Sequence, residues 1–141
     1  MKTNKKLLLM IFTLIIAFSG CKKYEEGPTI SLSPKKWRVV NTWKIDKVLF
    51  NGQDITSTYI ALLPNFSLEL KNDNSYVMSY TGGSSAEVGT WDFDSKKENL
   101  LMTPNGNSTS SKSEIIRLAG NEMWLRDIDG SDTSEMHYVS Q

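Results

Sequence analysis

The sequence predicts an all-β domain over residues 35–141, an eight-stranded antiparallel up-and-down barrel with one short helix between its first and second strands. Three observations predict it. Turn-forming clusters of Gly, Pro, Asn and Asp punctuate the chain about every ten residues. Between them lie short runs rich in β-branched, aromatic and apolar residues. Eight such runs follow one another at hairpin spacing, and closing them into a barrel removes the two exposed edges an open sheet would keep.

The elements follow in order. The first strand is Asn41–Phe50, ending at Asn51-Gly52, a strong hairpin dipeptide. Residues 54–64 read as the short helix, with Thr56 or Ser57 as cap and Pro64 as stop. The second strand is Phe66–Lys71, turned by Asn72-Asp73-Asn74. The third is Ser75–Thr81, followed by Gly82-Gly83. The fourth is Ala86–Asp94, and Ser95–Glu98 is a polar turn. The fifth is Asn99–Thr103, ended by Pro104-Asn-Gly-Asn107. The sixth is Ser111–Leu118, the seventh Glu122–Ile128 and the eighth Thr133–Val139.

Alternation assigns an inner face to each strand. Phe66, Leu68 and Leu70 share one face of the second strand, and Tyr76, Met78 and Tyr80 share one face of the third. Trp43 and Ile45 face inward on the first. Lys47 would come next, so a bulge there is expected to bring Val48 and Phe50 inward instead. Trp91 and Phe93 face inward on the fourth. The seventh strand offers Met123 and Leu125, or else Trp124. The eighth offers Met136 and Tyr138, or else His137 and Val139. Ile115 and Ile116 are adjacent on the sixth. Eight strands enclose a space that side chains fill or that holds one small ligand. Trp43, Ile45, Trp91 and Phe93 are assigned to the filled core, since large aromatics are needed there in any case. Phe66, Leu68, Tyr76, Met78 and Tyr80 are the candidates for a ligand pocket. A tyrosine hydroxyl needs a partner when buried, and Met78 is adaptable.

The segment before the domain carries a different signal. Residues 1–6 are positive, Leu7–Phe18 are apolar apart from Thr13, and Ser19-Gly20 precede Cys21, the only cysteine. This is the layout of a secretory signal peptide over residues 1–20. As a helix its twelve-residue apolar run would span about 18 Å, against about 30 Å for a bilayer core. Phe18 breaks the small-residue pattern of an ordinary cleavage site. What remains, apolar residues and then Ser-Gly-Cys, resembles the lipobox of bacterial lipoproteins. That resemblance implies cleavage between Gly20 and Cys21, a diacylglycerol on the Cys21 thiol, and an acyl chain such as palmitate on the new amino end. It implies a protein of the cell envelope, held to the outer membrane on its periplasmic face or at the cell surface. Residues 21–34, with Gly27, Pro28 and Pro34, read as a tether with a coil reach of about 20 Å. Glu25 and Glu26 resemble the surface-export signal of Bacteroidetes lipoproteins, and a solvated linker accounts for them equally well.

Three stretches of the domain, "NTWKIDKVLFNGQDIT", "LELKNDNSYVMSY" and "GTWDFD", resemble the lipocalin-like domains of bacterial lipoproteins. The resemblance implies a calycin-type barrel, places Trp43 and Trp91 at its closure, and carries an expectation of small hydrophobic ligands. The sequence departs from true lipocalins in reading Asn41-Thr42-Trp43 where they carry Gly-x-Trp. Its last strand has no arginine to stack on Trp43, which leaves Arg117 or Arg126 from neighbouring strands.

Composition narrows the function. Residues 21–141 hold thirteen basic and sixteen acidic residues, a net charge of −3. No basic patch of the kind nucleic-acid binders need is visible. One histidine, His137, no phosphate loop and no nucleophile elbow give no basis for an enzyme, and no cofactor is expected. "DIDGSD", residues 127–132, has its glycine fourth where a calcium loop needs it sixth, so it reads as a turn and no metal is expected. The expected function is that of a membrane-anchored lipoprotein whose barrel binds a small hydrophobic or amphiphilic molecule. The alternative is a filled barrel acting as a structural or protein-interaction module of an envelope complex.

Overall fold

The computed structural model describes residues 33–81 and 86–141. The signal peptide, Gly20, Cys21, the tether up to residue 32, and the Gly82-Gly83 turn lie outside the described residues.

Among the described residues nine strands and two helices succeed one another: α1 (Lys35–Val39), β1 (Asn41–Phe50), β2 (Gln53–Asp54), α2 (Thr56–Leu62), β3 (Ser67–Leu70), β4 (Ser75–Ser79), β5 (Glu87–Phe93), β6 (Asn99–Pro104), β7 (Ser111–Leu118), β8 (Glu122–Asp129) and β9 (Asp132–Ser140). From β3 to β9 each strand pairs antiparallel with the next, and β1 pairs with both β3 and β9. The sheet therefore closes into an eight-stranded antiparallel up-and-down barrel of lipocalin-like build. All of its pairings fall within residues 41–140, so this segment carries a complete barrel. The ninth strand, β2, is a two-residue extension. It folds back on Leu49 and Phe50 around Asn51-Gly52, both at positive φ as a tight primed hairpin turn requires.

The helix between β2 and β3 is shorter than residues 54–64. Neither Thr56 nor Ser57 caps it: Ile55 takes the capping position, and Asp54 supplies the acceptor instead. Its Oδ1 accepts the Thr56 N–H at 3.0 Å and the Thr56 hydroxyl at 2.5 Å. Helix α1 has no counterpart in the sequence reading, because five residues are too few for a periodic signal. It is held by tertiary contacts. Val39 is fully buried, Arg38 donates to the Leu118 carbonyl at 2.7 Å, and Lys36 donates to Asn74 Oδ1 at 2.6 Å.

One end of the barrel is thus closed and solid. Trp43 lies under α1, fully buried, with its Nε1 donating to the Val39 carbonyl at 2.9 Å. Trp91 donates to the Lys71 carbonyl at 3.0 Å and meets Phe93 edge-on with centroids 5.7 Å apart. Leu70, Leu100, Leu118 and Met123 join them, each almost wholly buried. Ile45 and Phe93 are half-buried and pack against this cluster.

Two bulges set which residues reach the interior. In β1 the register shifts between Ile45 and Lys47, so Val48 turns inward and Lys47 outward. Phe50 does not follow Val48, because it lies at the hairpin end and is exposed. In β7 the register shifts between Ile115 and Arg117, which accommodates the adjacent isoleucines and turns Leu118 inward. Met123 and Leu125 are the buried pair on β8, leaving Trp124 outside. There its ring stacks flat on His137 at 3.9 Å, and the Arg117 guanidinium lies 5.1 Å from its centroid. Arg117 therefore does not stack on Trp43, and Arg126 is engaged with Glu114 and Glu135. The "DIDGSD" segment is the hairpin between β8 and β9, with Asp129 paired to Asp132.

Gly89 is buried in β5 opposite Tyr76, and a Cβ there would lie 2.6 Å from Tyr76 Cε1, 2.9 Å from Pro104 Cα and against the Thr103 carbonyl. Two of these three neighbours are backbone and cannot give way. Gly89→Ala is expected to destabilise the domain by about 1–3 kcal/mol through overpacking, seen as a lower urea midpoint at unchanged slope. An unaltered midpoint would show that Tyr76 can vacate this position at no cost.

Candidate functional site

The other half of the barrel is not filled. A cavity of about 510 Å³ opens there, within the range of about 300–1,000 Å³ typical of small-molecule sites. Its walls are apolar: Leu63, Phe66, Leu68, Met78, Met102, Leu125 and Met136 all face it. Three of these are methionines, whose unbranched chains reshape around different occupants.

Of the pocket candidates, the structure brings Phe66, Leu68, Tyr76 and Met78 together on this wall. Tyr80 is a correction. β4 ends at Ser79, so the alternation that sets Tyr76 and Met78 inside stops one residue short, and Tyr80 is 38% exposed outside the cavity. Trp43 and Trp91 sit in the closed half, away from it.

The polar groups were only partly foreseen. Tyr76 is buried, and its hydroxyl already has a partner, donating to Glu87 Oε1 at 2.7 Å. Glu87 belongs to the inward row of β5, two positions before Gly89 and four before Trp91, and that alternation was the available signal. Asp127 stands in the same relation to Leu125 on β8. Tyr138 comes from β9, where alternation left two faces open. Its ring lies 6.2 Å from Phe66, and its hydroxyl donates at 3.1 Å to the Met136 sulfur, a weak acceptor. Tyr59 from α2 joins them, and Asn107, Thr109, Ser110, Ser111 and Ser113, from the β6–β7 connection and β7, bring one amide and four hydroxyls to the rim.

Burial raises the hydroxyl pKa of all three tyrosines above the ordinary phenol value. For Tyr76 burial acts first, and the hydrogen bond to Glu87 and its negative charge add to it. For Tyr138 burial is again the main cause, followed by Tyr59 and Asp127. For Tyr59 burial is followed by the charge of Asp127. All three are therefore neutral at physiological pH, where they act as hydrogen-bonding groups rather than as charges. Among the described residues no three His, Cys, Asp or Glu side chains gather closely enough to hold a metal ion.

Neither a protein-family model nor a curated protein sequence matches the chain. Fold and site define its class: a closed lipocalin-like barrel, solid at one end and hollow at the other.

The raised tyrosine pKa values have a thermodynamic consequence. The folded domain holds these protons more tightly than the unfolded chain, whose phenols titrate near about 10. The resulting stabilisation is complete below that pH and is lost as pH rises through the native values. Urea midpoints are expected to fall steeply above about pH 10, and Tyr138→Phe is expected to flatten that fall. Parallel pH profiles for the variant and the parent would contradict the assignment.

Proposed function

We propose that this protein is a lipid-anchored lipoprotein of the bacterial cell envelope whose barrel holds a small hydrophobic or amphiphilic molecule. The cavity carries the reading. A barrel serving only as scaffold gains by filling its interior, since each buried apolar group adds stability and each void forfeits contacts. Here the closed half is packed solid, while the open half keeps a space of about 510 Å³ walled by apolar side chains. Burial supplies the affinity and the tyrosines at the wall fix orientation. The anchor rests on the sequence: the apolar run ending in Ser19-Gly20-Cys21 and the Pro- and Gly-containing tether after it. Two or more acyl chains hold a protein stably at a membrane. We assign no catalysis to it.

A second reading, an interaction module, draws on the exposed apolar side chains Leu62 and Ile128, each next in sequence to a residue of the cavity wall.

Native mass spectrometry of residues 22–141, exported to the source compartment and purified without detergent, separates the two. A stoichiometric added mass that leaves on denaturation is expected, and Met102→Trp, which fills the cavity, is expected to lose most of it. A clean protein mass, with a partner captured by cross-linking at Leu62 and Ile128, would favour the interaction module. The anchor has its own test: the full chain made in a bacterial host is expected to begin at Cys21 and to carry the mass of its acyl chains. An uncleaved chain, or cleavage at another bond, would refute it.

A further inference from the structure

Among the described residues both charged groups lining the cavity are acceptors, beside the neutral amide of Asn107 and the hydroxyls of Thr109, Ser110, Ser111 and Ser113. Glu87 and Asp127 are carboxylates, and the Tyr138 hydroxyl spends its proton on a thioether and leaves its oxygen free to accept. No Lys, Arg or His is among the described residues lining the cavity. Elsewhere in the barrel, too, basic side chains are kept out of the interior. Lys47 and Arg117 lie on β1 and β7, and in both strands a bulge turns the basic side chain to the outer surface. The two carboxylates, by contrast, keep the inward register of Trp91 and Leu125.

Resting on the reading of this cavity as a binding site, we propose that its occupant is an amphiphile with a cationic, N–H-donating end, an alkylammonium compound rather than a fatty-acid carboxylate. The apolar chain lies along Leu68, Met78, Met102 and Leu125. The ammonium group lies toward Glu87 and Asp127 and donates to them, with Tyr138 oxygen as a further acceptor. The tyrosine rings favour a cation as well, since its charge is attracted to their faces. A carboxylate end would meet two like charges with no basic partner in the cavity lining, and only neutral donors such as the Asn107 amide would offset its desolvation.

The test uses three probes of one chain length below their micelle concentrations: decylammonium, decanol and decanoate. They are titrated calorimetrically into residues 22–141 after circular dichroism and a cooperative melt confirm folding. Decylammonium is expected to bind roughly fivefold or more tighter than decanoate, with decanol between, because opposite charges attract at short range. The preference is expected to shrink as salt is raised. It is also expected to collapse in Asp127→Asn with Glu87→Gln, which preserves an acceptor for the Tyr76 hydroxyl. Binding of decanol together with equal or tighter binding of decanoate would overturn the charge selection while leaving a binding cavity. So would a preference unchanged in the carboxamide variants. Failure of all three probes to bind would overturn the cavity reading and this inference with it.

Discussion

The barrel depends on the pairing of β1 with β9, and that pairing depends on a single bulge. β1 contributes Trp43 and Ile45 to the interior before the shift and Val48 after it. Strand alternation alone would set Lys47 inside, where an unpaired ammonium group costs several kcal/mol. The extra residue between Ile45 and Lys47 reverses the faces, so closure proceeds with an apolar interior. β7 solves the same problem in the same way. Ile115 faces in, Arg117 would follow, and a bulge sends Arg117 outward and Leu118 inward. Once outside, Arg117 lies against Trp124, which in turn covers His137, and Arg117 also pairs with Glu122. The closed sheet thus relies on two local irregularities to reconcile a sequence containing basic residues with an interior that excludes them.

The two ends of the barrel then divide between stability and binding. At the closed end both buried indole nitrogens, of Trp43 and Trp91, have a backbone acceptor, and α1 and the Asn74 turn cover the aromatic plug. Asn74, at positive φ, links three elements. Its side chain accepts from Lys36 and donates to the Trp91 carbonyl at 3.0 Å, while its own carbonyl accepts the Trp91 N–H at 2.8 Å. Buried polar groups satisfied in this way hold the plug in one arrangement. The open end lacks such cover. Gly89 gives Tyr76 room to lie across the strand and reach Glu87, so the wall between plug and cavity is itself a packed aromatic ring.

Much of this was legible in the sequence, and the failures share a cause. β1 and β7 begin and end where alternation and turn residues place them, and the β1 bulge is visible because an intruding lysine interrupts an apolar face. The β7 bulge is less so, since adjacent isoleucines do not say which of them faces inward. Tyr80 continues an apolar row one residue past the last β3–β4 pair, and only the pairing shows where that cover ends; Phe50 is still paired but lies at the exposed hairpin end of β1. Alternation does not decide Tyr138, because both faces of β9 carry large side chains: His137 is shielded by Trp124 from the next strand, which one strand's pattern cannot reveal. Helix α1 depends on contacts with Leu118 and Asn74, far along the chain. The capping position of α2 falls on Ile55, one residue before the threonine signal, and Asp54 accepts the Thr56 N–H.

The remaining question is whether two carboxylates at the open end need any explanation beyond wet strand ends. Solvation alone has no preference of sign, since a lysine at such a position would be equally well hydrated. The outer surface of the same strands illustrates this. Glu114, Arg126 and Glu135 face one another across β7, β8 and β9 with the signs alternating, and Arg126 pairs with both acids. Each such exposed pair is worth about 0.2–1 kcal/mol, enough to account for mixed charge. Inside the mouth no such pairing occurs among the described residues: the inward positions of β5 and β8 end in Glu87 and Asp127, and no basic side chain lines the cavity with them. Two like charges left without an opposite partner raise the local negative potential, at some cost to the empty barrel. The cationic end of the proposed occupant would lower that potential.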